Sequence, residues 1–230
     1  RTYRANYPDL AADKLVLLEN GYDEEAFSMA SGKPITAAPS GRIVLLHSGI
    51  VYSEERDPTH FFAALRQLRQ SGNPLAECLT VRLRATGNDA RMKSMIAAAG
   101  IEEMVELAPA VPYAEALAEM MAVDGLLVLQ ASSCNDQIPA KAYEYLRARR
   151  PLLALTDRAG DTADVIRRAG IDTIVPLDDT QAIVDALSGF LSRLAGGVAP
   201  VASEQAILDA SRRGRTAQLA KLLDQAIHSM

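Results

Sequence analysis

The sequence has no tryptophan, only two cysteines and only three histidines. Cys78 and Cys134 are too few for a disulfide framework, and neither lies in a spacing that is typical of metal ligands. The histidines, His47, His60 and His228, lie far apart in the chain, which argues against a zinc site. We therefore expect two reduced thiols in a cytoplasmic protein.

The chain also lacks an excess of basic residues and any long apolar run. Its net charge is −5 and its pI about 5.3, whereas a surface that binds nucleic acid needs a basic excess, so we expect no nucleic-acid partner. No apolar run approaches the roughly 20 residues of a membrane span. The first residue is Arg1, and the start has neither an initiator Met nor the form of a signal peptide. We expect a piece excised from a longer protein.

Short apolar runs alternate with longer amphipathic segments from residue 42 onward. Solid apolar strands separated by helices are typical of a parallel sheet covered on both faces. The sequence therefore predicts an α/β domain with a doubly wound parallel sheet, a Rossmann-like fold. The predicted strands are 42–47, 79–85, 104–107, 125–129, 151–155 and 173–176. The predicted helices are about 58–71, 89–99, 113–122, 139–149 and 160–169, followed by closing helices at about 179–195 and 203–228.

The regions on either side of this alternation differ from it. The first forty residues indicate a short helix, an apolar strand over 14–18 and a segment rich in Ser, Gly, Pro, Ala and Thr over 28–40, which is typical of a linker. We therefore divide the chain into an initial segment and linker over 1–40, a Rossmann-like domain over 41–200 and a C-terminal helix over 201–230.

Ligands of doubly wound sheets bind beyond the carboxyl ends of the strands, so the residues after each strand are the first candidates. After the first strand, Gly49 permits close approach of a ligand to the backbone, and Arg56 precedes a helix start, where it could contact an anion. The alternative is that Arg56 pairs with acidic neighbours in 54–57 on a solvated loop. After the second strand, Gly87 belongs to a turn before a capped helix, or else faces a ligand.

The stretch 130–151, QASSCNDQIPAKAYEYLRARRP, is the most informative. Six small or polar residues follow an apolar strand, and a helix then begins near Pro139. The free N–H groups in the first turn of this helix form an anion site. Asp136 precedes this helix and Glu144 lies within it. The alternatives are that Asp136 caps the helix and that Glu144 pairs with Arg147 on an exposed face.

Five sequence motifs occur in a characteristic order and spacing. They are KLVLLENGYDEEAF at 14–27, RIVLLHSGIVYSEERDP at 42–58, LTVRLRATGN at 79–88, VELAPAVPYAEALAEMMAVDGLLVLQ at 105–130 and IPAKAYEYLRARRPLLAL at 138–155. Together they resemble, almost from end to end, the C-terminal donor-binding domain of GT-B glycosyltransferases, specifically the retaining family 4 group. The last motif is similar to a variant found in many members that assemble polysaccharides.

The resemblance implies roles for individual residues. Glu144 matches an acidic residue that contacts the nucleotide ribose, and Asp136 matches one, normally Glu, that lies near the donor sugar, so Asp136 is the catalytic candidate. Arg56 matches one of two cations on the donor diphosphate, whereas Ile50 stands where the family has the other, for which Lys141 is a possible substitute. The donor-binding candidates are Gly49, Arg56, Gly87, Ile138, Lys141 and Glu144.

The function implied by the resemblance is transfer of a sugar, with retention, from a nucleotide diphosphate sugar to a glycan or lipid-linked acceptor. We expect no cofactor and no metal. An N-terminal acceptor domain would be the missing partner, and any peripheral membrane contact would come through that domain. The segment 1–40 would join the domains, and the present chain would bind donor but transfer poorly or not at all. The alternatives are a GT-B-type sugar-nucleotide epimerase and a non-catalytic doubly wound interaction module.

Overall fold

The structure is a computed structural model that describes residues 6–11, 14–33 and 41–228. Its six strands are β1 Ile43–Ser48, β2 Leu79–Arg84, β3 Val105–Ala108, β4 Gly125–Leu129, β5 Leu152–Leu155 and β6 Ile174–Val175. The helices are α1 Glu24–Ala30, α2 Thr59–Gln70, α3 Pro74–Glu77, α4 Asp89–Ala99, α5 Tyr113–Ala122, α6 Ala140–Arg147, α7 Asp161–Arg168, α8 Thr180–Ala195, α9 Glu204–Asp209 and α10 Arg212–His228. A short 3₁₀ helix covers Ser132–Cys134.

All six strands belong to one parallel sheet with the order β3-β2-β1-β4-β5-β6. Strand β1 is internal, since Leu45 pairs with Val81 of β2 on one side and Gly125 of β4 on the other. The strand order reverses between β1 and β4, which places the topological switch point there. The predicted doubly wound α/β fold is confirmed.

The sheet separates two apolar layers because successive strand residues point to opposite faces. On one face, Val44 and Leu46 of β1 lie in a buried cluster with Tyr143 of α6. On the other, Leu45 of β1 lies in a buried cluster with Phe61 of α2 and residues of α8. Burying each such side chain stabilises the fold by about 1.5–3 kcal/mol. This packing holds the carboxyl ends of β1 and β4 at the same edge as the start of α6.

The predicted strand over 14–18 is wrong. Among the described residues 14–33, only Tyr22 makes a bridge, and its partner is Ser211. A strand needs a neighbour for its backbone groups, and three of the four apolar side chains of this segment are exposed, with Leu17 at 77%. The helix that follows, α1, extends into the predicted linker, whose residues 34–40 lie outside the described residues. Residues 1–5 and 12–13 also lie outside them, so the short helix expected before the strand falls only partly within the described part of the chain.

The predicted helix over 203–228 is two helices. Residues Ala210 and Ser211 separate α9 from α10, because the backbone there bonds to Tyr22: its N–H donates to the Ala210 carbonyl at 3.1 Å, and its carbonyl accepts from Arg212 N–H at 2.8 Å. The division of the chain into 1–40, 41–200 and 201–230 stays a prediction.

Cys78 and Cys134 are both free thiols, as predicted. Across the described part of the chain, no helix combines the length and the apolar character that crossing a membrane requires.

Candidate functional site

The loops that follow β1 and β4 meet at the carboxyl edge of the sheet. Ala131 N–H donates to the carbonyl of Glu55 at 2.7 Å. Arg56, Ile138 and Pro139 line one small cavity of about 70 Å³ beside this contact. The switch point therefore brings the predicted arginine next to the start of α6, whose free N–H groups carry roughly half a positive charge.

Helix α6 is fixed on the end of β1. The hydroxyl of Tyr145 is buried and accepts the backbone N–H of Ser48 at 2.9 Å. This bond satisfies a donor at the strand end and sets the first turn of α6 over the loop that begins at Gly49. Lys141, in that first turn, consequently points back across β1.

The ammonium of Lys141 packs against Gly49 and His47. Its Nζ lies 3.3 Å from His47 Nε2, and a β-carbon built on Gly49 would lie only 2.7 Å from Nζ. Gly49 also has φ +121°, a conformation that favours glycine. The pKa of Lys141 is lowered to about 7, mainly by burial and secondly by the nearby Arg56 cation, whereas Glu144 raises it by a smaller amount. No carboxylate among the described residues lies within ion-pair distance of Lys141.

His47 is a buried, neutral acceptor for this lysine. Its Nδ1 lies 3.0 Å from the carbonyl of Leu127, so Nδ1 carries the proton and Nε2 faces Lys141 unprotonated. Burial, followed by the Lys141 charge, holds the pKa of His47 well below its ordinary value. The sequence interpretation missed this role of His47. A polar residue inside an otherwise apolar strand could have indicated it.

Arg56 does not form the pairs with acidic neighbours that were its alternative explanation. It donates to the carbonyl of Ile50 at 2.6 Å, and its guanidinium lies 5.0 Å from the centre of the Tyr52 ring. Asp57 instead accepts from Thr59 and pairs with an arginine of α4. Within the described residues Arg56 has no carboxylate partner, so its full charge faces the same edge as Lys141.

Gly87 supports the site through Ile50. A β-carbon on Gly87 would lie 3.2 Å from the Ile50 side chain, and Gly87 has φ +80°. The N–H of Val51 also donates to the carbonyl of Thr86 at 2.9 Å. The turn after β2 thus holds the loop after β1 in place. Gly87 contacts Ile50, which stands where the resemblance implies a cation.

Glu144 lies one turn beyond Lys141 on α6 and faces the loop that follows β3. One of its oxygens accepts a hydrogen bond from the hydroxyl of Tyr113 at 2.6 Å. The pair with Arg147, which was the alternative explanation for Glu144, does not form, since Arg147 binds Glu24 of α1. Its second oxygen has no described partner, so this carboxylate can accept further hydroxyls. Tyr113 was not a predicted site residue.

Asp136 lies in an exposed turn after the 3₁₀ helix. It does not cap α6, whose N-cap is Pro139 and which has no side-chain cap. No described residue bonds to its carboxylate. The loop that carries it is held from below by Gln130, whose Nε2 donates to the carbonyls of Cys134 and Gln137 at 2.8 and 2.9 Å. Asp136 is therefore exposed at the surface of this loop.

A larger cavity of about 580 Å³ lies on the other side of the same loops. Among the described residues its charged lining consists of the carboxylates of Glu54, Asp57, Asp157 and Asp178, without an arginine or lysine. Such a lining repels a polyanion. The cavity beside Arg56 is smaller, but the positive charges of Arg56 and Lys141 at that edge suit a phosphate group.

Neither a family model nor a curated protein matches the sequence. The solved structures similar to it include sucrose-phosphate synthase from Thermosynechococcus elongatus, with a TM-score of 0.68 and 14% identity over 99% of this chain and 57% of that one. Anabaena HepE, solved with UDP and glucose, has a TM-score of 0.66 and 16% identity over 94% and 58%. WaaG, a glycosyltransferase involved in lipopolysaccharide biosynthesis, has a TM-score of 0.60 and 16% identity over 90% and 55%.

This chain spans a little over half the length of those three structures. At such low identity the likeness establishes the fold alone. The chain has the Rossmann-like α/β fold found in glycosyltransferases of the GT-B architecture.

Proposed function

We propose that this chain is the nucleotide-sugar-binding half of a retaining, family 4 type glycosyltransferase of the hexosyltransferase kind, acting in the cytoplasm in polysaccharide biosynthesis. The observation that carries the proposal is the unpaired ammonium of Lys141, held against Gly49 beside Arg56. Burying a cation without a carboxylate destabilises a fold. At the switch point, a Lys141 ammonium without a carboxylate partner among the described residues therefore indicates a site for an anionic ligand, which would neutralise its charge.

A diphosphate fits the charges at this edge. Lys141 and Arg56 each contribute a cation, and the N–H groups of Ile138, Ala140 and Lys141, at and just before the start of α6, contribute the positive end of a helix. Together they stabilise a departing nucleoside diphosphate without a metal, which is the main electrostatic task in sugar transfer. Lys141 takes the place of the cation that Ile50 does not provide.

Glu144 is proposed to bind the ribose of the same ligand. It lies one turn, about 5 Å, beyond Lys141, which matches the step from a diphosphate to its ribose. A carboxylate accepts both hydroxyls of a diol through charge-assisted bonds. Gly49 and Gly87 allow the loops to approach the nucleotide closely, and the exposed Asp136 is proposed to face the donor sugar.

The acceptor side is proposed to come from an N-terminal domain. Apolar side chains of 14–18 and of α10 are exposed in the described part of the chain, among them Leu17, Leu219, Leu223 and Ile227. Such surface is available for packing against a second domain. By itself this half is proposed to bind the donor and to transfer little or no sugar.

The test is a screen of UDP-, GDP- and ADP-glucose for thermal stabilisation, followed by calorimetric titration. A ligand at 100 times its Kd stabilises the folded state by about 2.7 kcal/mol. We expect stabilisation by at least one of the three, loss of it in Lys141→Met, and retention in the control Lys93→Met, which alters an exposed lysine of α4. Stabilisation by none of the three would support an interaction module, and epimerisation of the donor without acceptor would support an epimerase.

A further inference from the structure

A cluster of buried charges lies beneath the loop after β3. Arg82 and Arg84 of β2 and Glu119 of α5 are only 3%, 7% and 5% exposed. Arg82 binds Glu119 at 2.9 Å, and Arg84 binds the same carboxylate through two nitrogens, one of them at 2.7 Å. Buried charges of this kind persist only when they are paired and hydrogen-bonded.

The two arginines use their remaining donors differently. Arg82 binds Glu106, which is half exposed on the neighbouring strand β3. Arg84 instead donates from Nη1 to the carbonyl of Pro109 at 2.6 Å. Only Arg84 therefore reaches the loop that joins β3 to α5.

This loop has few hydrogen-bond donors of its own, and the residue at its end contacts Glu144, the proposed ribose-binding carboxylate. Pro109 and Pro112 lack backbone N–H groups. Directly after Pro112, Tyr113 donates its hydroxyl to Glu144 at 2.6 Å. A continuous series of contacts thus runs from Arg84 through the loop to Glu144.

The position of the loop matters for a nucleotide bound as proposed. The diphosphate would lie at the first turn of α6 and the ribose at Glu144, one turn further along. The nucleoside base, attached to the ribose on the side away from the phosphates, would then reach the loop from Pro109 to Tyr113. The charged cluster lies too deep to contact the ligand itself.

We infer that Arg84 is a positioning residue for the nucleoside part of the ligand. Through the Pro109 carbonyl it fixes the loop, and the loop fixes Tyr113 and the orientation of Glu144. The inference rests on the proposed function, because it assumes that Glu144 receives the ribose. Arg82, equally buried on the same strand and on the same carboxylate, has no contact with the loop and is the matched control.

The experiment compares Arg84→Met with Arg82→Met in the full chain. UDP, GDP, ADP and inorganic pyrophosphate are titrated by calorimetry below the melting temperature of both variants. Loss of a charge-assisted bond that holds the loop predicts about tenfold or greater weakening of the nucleoside diphosphate in Arg84→Met. Pyrophosphate should bind as in the wild type, and Arg82→Met should leave both affinities unchanged.

If Arg84→Met does not fold, the double variant Arg84→Met with Glu119→Gln removes the excess negative charge that the loss of Arg84 leaves in the cluster, and it keeps Arg82 paired with Glu106. Equal weakening of nucleotide and pyrophosphate, or equal effects of the two arginine variants, would overturn the positioning role. Absence of nucleotide binding in the wild type would instead overturn the proposed function, so the two failures are distinguishable.

Discussion

Donor affinity should fall as pH rises through 7, because the ammonium of Lys141 is the species that attracts the diphosphate. Burial and the Arg56 cation lower the pKa of Lys141 to about 7 in the free protein. A bound diphosphate favours the protonated form, so binding takes up a proton above this pH. His47 adds no titration in this range, since its pKa lies well below its ordinary value.

The size of the effect follows from proton linkage. If only the protonated form binds, the apparent Kd carries a factor of 1 + 10^(pH − pKa), which is about 1.1 at pH 6 and about 11 at pH 8. We therefore expect about tenfold weaker binding at pH 8 than at pH 6. The assay is calorimetric titration with a nucleotide sugar such as UDP-glucose, whose diphosphate diester does not titrate in this range, in two buffers of different ionisation enthalpy.

The same lysine should destabilise the free fold. Its pKa falls from 10.5 to about 7, and at about 1.4 kcal/mol per pKa unit the burial of the ammonium destabilises the fold by up to about 5 kcal/mol at pH 7 or below. The unfolded state binds more protons between pH 7 and 10.5, so stability should rise with pH across this window. We expect Lys141→Met to be more stable by roughly 2–4 kcal/mol at pH 7 and to lack this slope, while Lys93→Met keeps it. A pH-independent affinity, or a destabilised Lys141→Met, would refute the reasoning.

Three further predictions concern single residues. Glu144→Ala should weaken nucleotide binding by about 2 kcal/mol, since a charged hydrogen bond contributes roughly 1.5–3 kcal/mol, and it should change the melting temperature little. Calorimetric titration and thermal melts check this. A larger loss of stability than of affinity would contradict it. Gly49→Ala should displace the Lys141 ammonium, since the added carbon meets Nζ at a backbone φ of +121°. Backbone strain and release of the ammonium change stability in opposite directions, so the measurement is a pH-resolved titration, which should show the proton linkage lost; an unchanged linkage would contradict this. Ala85→Gly should stabilise the fold by about 0.5–1 kcal/mol in urea unfolding, because Ala85 has φ +56°, and an unchanged midpoint would speak against strain there.

The sheet could be predicted from the sequence because most of its strands are apolar runs followed by turn residues, although β2 carries Arg82 and Arg84. All six strands predicted for the sheet match the structure to within one residue at each end. The start of α6 could also be predicted, since Pro139 follows a run of small or polar residues. The strand over 14–18 failed because apolar composition does not say whether a partner strand exists, and no described residue supplies one.

The side-chain contacts of the candidate site were beyond the sequence. Lys141 was expected only as a helix-start position and a possible second cation. Its buried state depends on His47, 94 residues away, and on Gly49. The contact between Tyr113 and Glu144 likewise joins residues 31 apart. Periodicity places residues on a face of one element, but it does not indicate which side chain of another element they meet.

The most direct test of the central claim is a crystal structure of the chain with the nucleotide sugar that stabilises it most. The account predicts density for the diphosphate between the Lys141 ammonium, the Arg56 guanidinium and the first N–H groups of α6. It also predicts ribose hydroxyls on Glu144. A nucleotide bound in the cavity lined by Asp157 and Asp178, with Lys141 left against His47 and Gly49, would contradict it.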